Sequence, residues 1–163
     1  MTDPADDRRI RITDGDEQLL RPVIANWVVD GIVAPDAFKL SSADKRDSNH
    51  LSIARNSATT PERAYRDRAG RIEKRCNETG ASYKPPVGVL AVTVDDVESI
   101  EVKTSSTRKP LTVWDDSMND NVPDDHGHID YNDVPPSDRG AHDLAAKTLL
   151  AKALEHGWKF GPV

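Results

Sequence analysis

The sequence predicts a single compact α+β domain with a mainly antiparallel sheet and two principal helices, and three observations carry that prediction. "VGVLAVTV", Val87 to Val94, is apolar on both alternating faces, the pattern of a strand covered on each side. Asp30-Gly31 stands between Val28-Val29 and Ile32-Val33, and Asp-Gly supplies the positive φ angles of a tight hairpin turn. Two longer stretches, one opening at "TTPE" and one at Asp138, repeat apolar residues at helical spacing before a terminal glycine.

Taken in order, residues Met1 to Arg8 read as a disordered tail and residues 9–163 as the domain. The hairpin at Asp30-Gly31 ends at Pro35. "LSSADKRDSN" is a polar connector, and "HLSIA" after it is a short strand. In the first helix, Thr59 and Glu62 have capping-box spacing and Pro61 suits a first turn. Tyr65, Ala69, Ile72 and Cys76 give it one apolar face, and Gly80 stops it. Val87–Val94 should lie near the centre of the sheet. "DDVES" then turns the chain, and "SIEVK" and "PLTVW" are further strands. The last helix, Asp138 to His156, places Ala145, Ala146, Leu149, Leu150, Ala153 and Leu154 on one face. Gly157 ends it, and Trp158 and Phe160 fold back onto the core.

The net charge of −6 argues against general binding to a phosphate backbone, which needs a basic face. The charge is unevenly spread. Lys39 to Glu78 holds ten Lys/Arg against six Asp/Glu, whereas Trp114 to Asp138 holds eight Asp and no Lys or Arg. A single cysteine, Cys76, excludes an internal disulfide and suits a reducing compartment, with a buried structural thiol as the expected role. No apolar run is long enough for a membrane span, and the N-terminus lacks the apolar core of a signal peptide. The expectation is a cytoplasmic protein without membrane association.

The acidic segment contains "HGHID". As a strand it sends His126, His128 and Asp130 to one face and Ile129 to the other. His126 and His128 could ligate one metal ion, with His50, Asp116 or Asp120 as third ligand, but no companion motif fixes that third position. The expected assignment is therefore no metal, and the segment reads as an acidic loop leading into a half-exposed strand. The calcium-loop order of ligands is absent. G-x-S-x-G, the P-loop and G-x-G-x-x-G are absent as well. The acidic stretch Asp115 to Asp133 also offers a docking surface for a basic protein partner.

Arg21 in "LLRPVI", Ser52 in "NHLSIA", Glu62 and the histidines of "HGHID" form a looser constellation. Here the chain resembles a family of small bacterial proteins of unassigned activity. The shared features are "LLR", "DAF", "HLS", "TTPE", "VGVLAVTV" and "DDHGHID", which together span most of the sequence. More distantly it is similar to ADP-ribosyltransferase-like domains of toxin and defence systems. That likeness implies NAD as cofactor and Arg21 and Ser52 as its contacts. It implies catalytic residues among Glu62, His126 and His128, with "HGHID" offering histidines where the likeness expects a glutamate. The expected function is a nucleotide-ligand domain, with a partner-binding protein and a metal-dependent enzyme at His126/His128 as alternatives.

Overall fold

A computed structural model describes residues 8–46, 49–104, 108–119, 122–132, 134–135 and 137–163. The expected N-terminal tail lies outside them except for Arg8. The strands are β1 (Ile10–Arg11), β2 (Gln18–Val23), β3 (Val28–Val29), β4 (Ile32–Val33), β5 (His50–Arg55), β6 (Gly88–Thr93), β7 (Glu101–Lys103), β8 (Arg108–Pro110), β9 (Thr112–Asp115) and β10 (His126–Asp130). The helices are α1 (Ser42–Arg46), α2 (Pro61–Thr79), α3 (Val94–Glu98) and α4 (Arg139–His156). Six strands form one antiparallel sheet in the order β1-β9-β10-β5-β2-β6, and the pairs β3-β4 and β7-β8 stand apart. The α+β class and single compact domain are as the sequence implies. Among the described residues no helix is long and apolar enough to cross a membrane.

The two faces of the sheet are built differently. On one, Leu19, Leu51, Leu90, Val113 and Ile129 meet Ala145, Ala146, Leu149 and Ala153 of α4, joined by Ala37 and Phe38 from a 3-10 turn. Each buried Leu, Ile or Val among them contributes about 1.5–3 kcal/mol by leaving water. On the other face, Leu20, Val89 and Ala91 pack against Ala64 of α2. That helix lies over β2 and β6 at one end of the sheet. Beyond it, the same face of β5 and β10 carries His50, Ser52, His126, His128 and Asp130. This leaves a polar strip beside the helix on a sheet otherwise covered.

Several local expectations change. The Val87–Val94 stretch is buried on both faces, yet β6 is an edge strand rather than a central one. Alternation reports what covers the faces of a strand and carries no information about its edges. The outer edge of β6 is covered by the C-terminal segment, with Val89 N donating to Phe160 O and Lys159 N to Val89 O, both at 2.9 Å. Thr60, not Thr59, caps α2, its hydroxyl accepting from Arg63 N. "DDVES" forms the short helix α3, for which Thr93 and Asp96 make a reciprocal capping box. "PLTVW" divides at Leu111, so that Pro110 ends β8 and β9 begins at Thr112. Leu154 is exposed, and Cys76 is half-buried with its thiol directed to Ser82 O. The hairpin holds, with φ of 52° at Asp30 and 77° at Gly31, the two positive values of a type I′ turn.

One ion cluster ties the start of β2 to the end of β9. The buried Glu17 takes two hydrogen bonds from Arg55, at 3.0 and 2.8 Å, and a third from the Ser57 hydroxyl. Arg55 also reaches Asp115 at 2.7 Å. Burial alone would raise the Glu17 pKa, but the Arg55 and Ser57 bonds outweigh it and hold the carboxyl below its ordinary value. A carboxyl depressed in the folded state contributes stability above its unfolded pKa and loses it as pH falls. The melting temperature should therefore drop between roughly pH 5 and pH 3. Glu17→Gln should lower it at neutral pH and flatten that acid slope; a slope identical to wild type would contradict this role.

Candidate functional site

β10 and β5 pair antiparallel with His128 opposite Ser52, His126 opposite Ala54 and Asp130 opposite His50. This register sets two rows of polar side chains side by side. The close approach of the strands depends on Gly127, where an added Cβ would lie 2.9 Å from both Ile53 Cδ1 and Trp114 O. A side chain there would push β10 off its neighbours.

Asp116, the residue after β9, organises the row. Its Oδ1 lies 2.5 Å from His126 Nδ1 and its Oδ2 lies 2.9 Å from His128 Nδ1. A carboxylate only accepts, so both imidazoles donate from Nδ1, which in the neutral ring leaves Nε2 as an acceptor. Burial would raise the Asp116 pKa, but the bonds from the two histidines hold the carboxyl far below the usual carboxylate range. His128 is 2% exposed, and burial lowers its pKa in spite of Asp116, which favours the neutral ring. Ser52 Oγ lies 3.2 Å from His126 Nε2. Ser52, His126 and Asp116 thus stand in the order of an activated hydroxyl, a base and the group that orients the base.

On the far side of His128 a second set of groups converges. The His50 ring stacks on His128 with centroids 3.8 Å apart. Arg9 Nη1 lies 2.8 Å from Asp130 Oδ2, 3.2 Å from His128 Nε2 and 3.4 Å from His50 Nε2. Its guanidinium covers the Trp114 ring at 3.9 Å. Among the described residues, His50, His128 and Asp130 each offer a ligand atom, all within 4.8 Å of one another, and could together hold a metal.

The cleft beyond Ser52 has basic walls. It is lined by Arg21, Ser52, Arg68, Arg71, Asp125 and His126 among others, and its cavity measures about 80 Å³. β2 and β5 pair only at Leu19-Arg55 and Leu20-Ala54, then separate near Pro22, which has no N–H to continue the ladder. Arg21 spans the opening, donating from Nε to Ala37 O and from Nη1 to Ser52 O, each at 2.8 Å. Burial, and then the Arg68 charge, lower the Arg21 pKa to about 10, still well above neutral pH. Along α2, Arg68, Arg71 and Arg75 follow at helical spacing on one side. Burial and the charges of Arg71 and Arg75 lower the pKa of Arg68. Among the described residues, no carboxylate lies within ion-pair distance of these three arginines. Such crowding of like charge is costly unless an anion relieves it.

The structure therefore brings Arg21, Ser52 and His126 to one cleft, with His128 behind them on the same carboxylate. Glu62 stands apart, exposed at the start of α2 and paired with Arg66 at 2.7 Å. The acidic segment is less of a free surface than its composition suggests. Asp115, Asp116 and Asp130 turn inward to Arg55, the two histidines and Arg9. Asp120 and Asp133 lie outside the described residues. Sequence reasoning listed Asp116 only as one candidate third ligand and missed Arg9 altogether. Arg68, Arg71 and Arg75 did leave a signal, in their spacing and in the basic excess of that region.

No protein-family model, curated protein or solved structure matches the chain.

If close strand approach holds the site together, Gly127→Ala should destabilise the protein by about 1–3 kcal/mol through overpacking. Gly70 in α2 has open space around it, so Gly70→Ala should stabilise by up to about 1 kcal/mol. Equal melting temperatures for the two variants would contradict the packing account.

Proposed function

We propose that this chain is an enzyme acting on a phosphate-bearing, nucleotide-type ligand, with Ser52 as nucleophile and His126 as its general base. The observation that carries the proposal is the line Asp116–His126–Ser52, which ends on an exposed hydroxyl in an arginine-walled cleft. As Ser52 Oγ attacks an electrophilic centre beside the phosphate, its proton passes to His126 Nε2. Asp116 holds the imidazole with Nε2 toward Ser52 and stabilises the imidazolium that forms. The bond from the electrophile to its leaving group then breaks, and an oxygen leaving group takes the proton back from His126. Nicotinamide would instead leave NAD as a neutral ring with the electron pair of the broken C–N bond, and His126 would give its proton to solvent. A water activated by His126 releases the product from Ser52 by the same steps in reverse.

The arginines supply the binding energy. Arg21 makes two protein hydrogen bonds and has N–H donors left for a ligand phosphate. Arg68 and Arg71 provide further charge-assisted donors. The dinucleotide implied by the ADP-ribosyltransferase resemblance belongs to this ligand class. NAD would place its pyrophosphate on Arg21 and Arg68, with Ser52 at the reacting end and His126 where that likeness expects an acid. The toxin or defence setting is part of the same proposal. That setting rests on the resemblance alone.

Thermal shift and calorimetry with NAD, ADP-ribose and pyrophosphate test the proposal. At least one should raise the melting temperature of the wild type. Arg71→Ala removes an exposed side chain and should weaken binding about tenfold. Ser52→Ala and His126→Ala should keep binding while losing about 10³-fold or more in turnover. No stabilisation by any of the three ligands at roughly millimolar concentration, far above ordinary affinities, would sink the nucleotide reading.

A further inference from the structure

We propose that His50 Nε2, His128 Nε2 and the Asp130 carboxylate form a binding site for a divalent transition metal ion of the zinc class, and that Arg9 competes with the ion for the same position. This set differs from the pair the sequence suggests, because His126 faces Ser52 and only His128 turns toward the second cluster.

Three features point to a metal. First, all three donors already converge on one cation, the Arg9 guanidinium nitrogen, at 2.8 to 3.4 Å. A zinc ion takes such ligands at about 2.0–2.2 Å, so each would move inward by about 1 Å. Second, Asp116 accepts from His128 Nδ1, which leaves Nε2 as the lone-pair donor. A carboxylate behind a histidine in this way is the usual support of a metal ligand. Third, two imidazoles and one carboxylate suit zinc rather than calcium or magnesium, which prefer all-oxygen sites. Three protein ligands leave a fourth position for water or substrate.

Arg9 reaches the cluster from the edge of the sheet. It precedes β1, a two-residue edge strand paired to β9 at Ile10-Asp115 and Arg11-Trp114, with Arg8 N on Asn119 Oδ1, Arg11 on Glu98 and Ile12 N on Val113 O holding the segment on either side. Release of that short strand would free the position while the sheet beneath stays paired. Because Asp116 touches both histidines, an ion on His128 would draw charge from the carboxylate that orients His126. The site stands independently of the nucleotide proposal.

The test is titration of the untagged, chelator-treated protein with Zn²⁺ by calorimetry. Arg9→Ala should bind one equivalent at least about tenfold more tightly than wild type, because the competing guanidinium is gone. Adding His50→Ala to that variant should abolish stoichiometric binding, and His126→Ala should not. Asp130→Asn, which retains the side-chain shape, serves where the His50 variant fails to fold and should give the same loss. Arg9→Ala binding no more tightly than wild type would overturn the proposal. So would binding that survives both the His50 and Asp130 changes, or that disappears with His126 instead.

Discussion

The arrangement of the polar strip depends on one buried carboxylate that serves two imidazoles. Asp116 is 9% exposed and accepts from Nδ1 of both His126 and His128. Taking a carboxylate out of water costs several kcal/mol unless hydrogen bonds replace the lost hydration. Here two ring N–H groups do so, and in return both rings are held in one tautomer with Nε2 outward. One ring then meets Ser52 and the other meets Arg9. An amide at this position would offer one acceptor oxygen and an NH2 group, so one of the rings would have to accept at Nδ1 and turn to the other tautomer.

The fold explains why such a group can exist. A six-stranded sheet is wider than one helix covers, and α2 lies at the β2-β6 end. The rest of that face is open to polar side chains, while the opposite face gives the domain its core. Separation of β2 from β5 after Leu20-Ala54 opens the cleft, and Arg21 bridges the gap through two backbone carbonyls. Arg21 is thus both a structural brace and a wall of the cleft, and Arg71 isolates the binding contribution more cleanly.

Much of this was legible in the chain. Alternation in "HGHID" separates His126 and His128 from Ile129, and in the structure Ile129 is fully buried. Asp-Gly specifies the hairpin, because few other dipeptides accept two positive φ angles. The basic excess from Lys39 to Glu78 becomes the arginine side of α2. What stayed hidden are relations between distant segments. Nothing near Asp116 signals that its loop returns to β10, and Arg9 reaches Asp130 across more than a hundred residues. The edge position of β6 is hidden in the sequence for a related reason. Its sequence records burial by α2 and α4, but its outer edge is covered by residues that follow the last helix.

The tautomers of the two histidines test the central claim most directly. Long-range ¹H–¹⁵N correlation spectra of the imidazole rings, recorded for wild type and for His126→Ala to assign the signals, distinguish protonation at Nδ1 from protonation at Nε2. Both His126 and His128 should carry the proton on Nδ1. A proton on Nε2 of either ring, or averaged signals from freely exchanging tautomers, would contradict the bridge at Asp116.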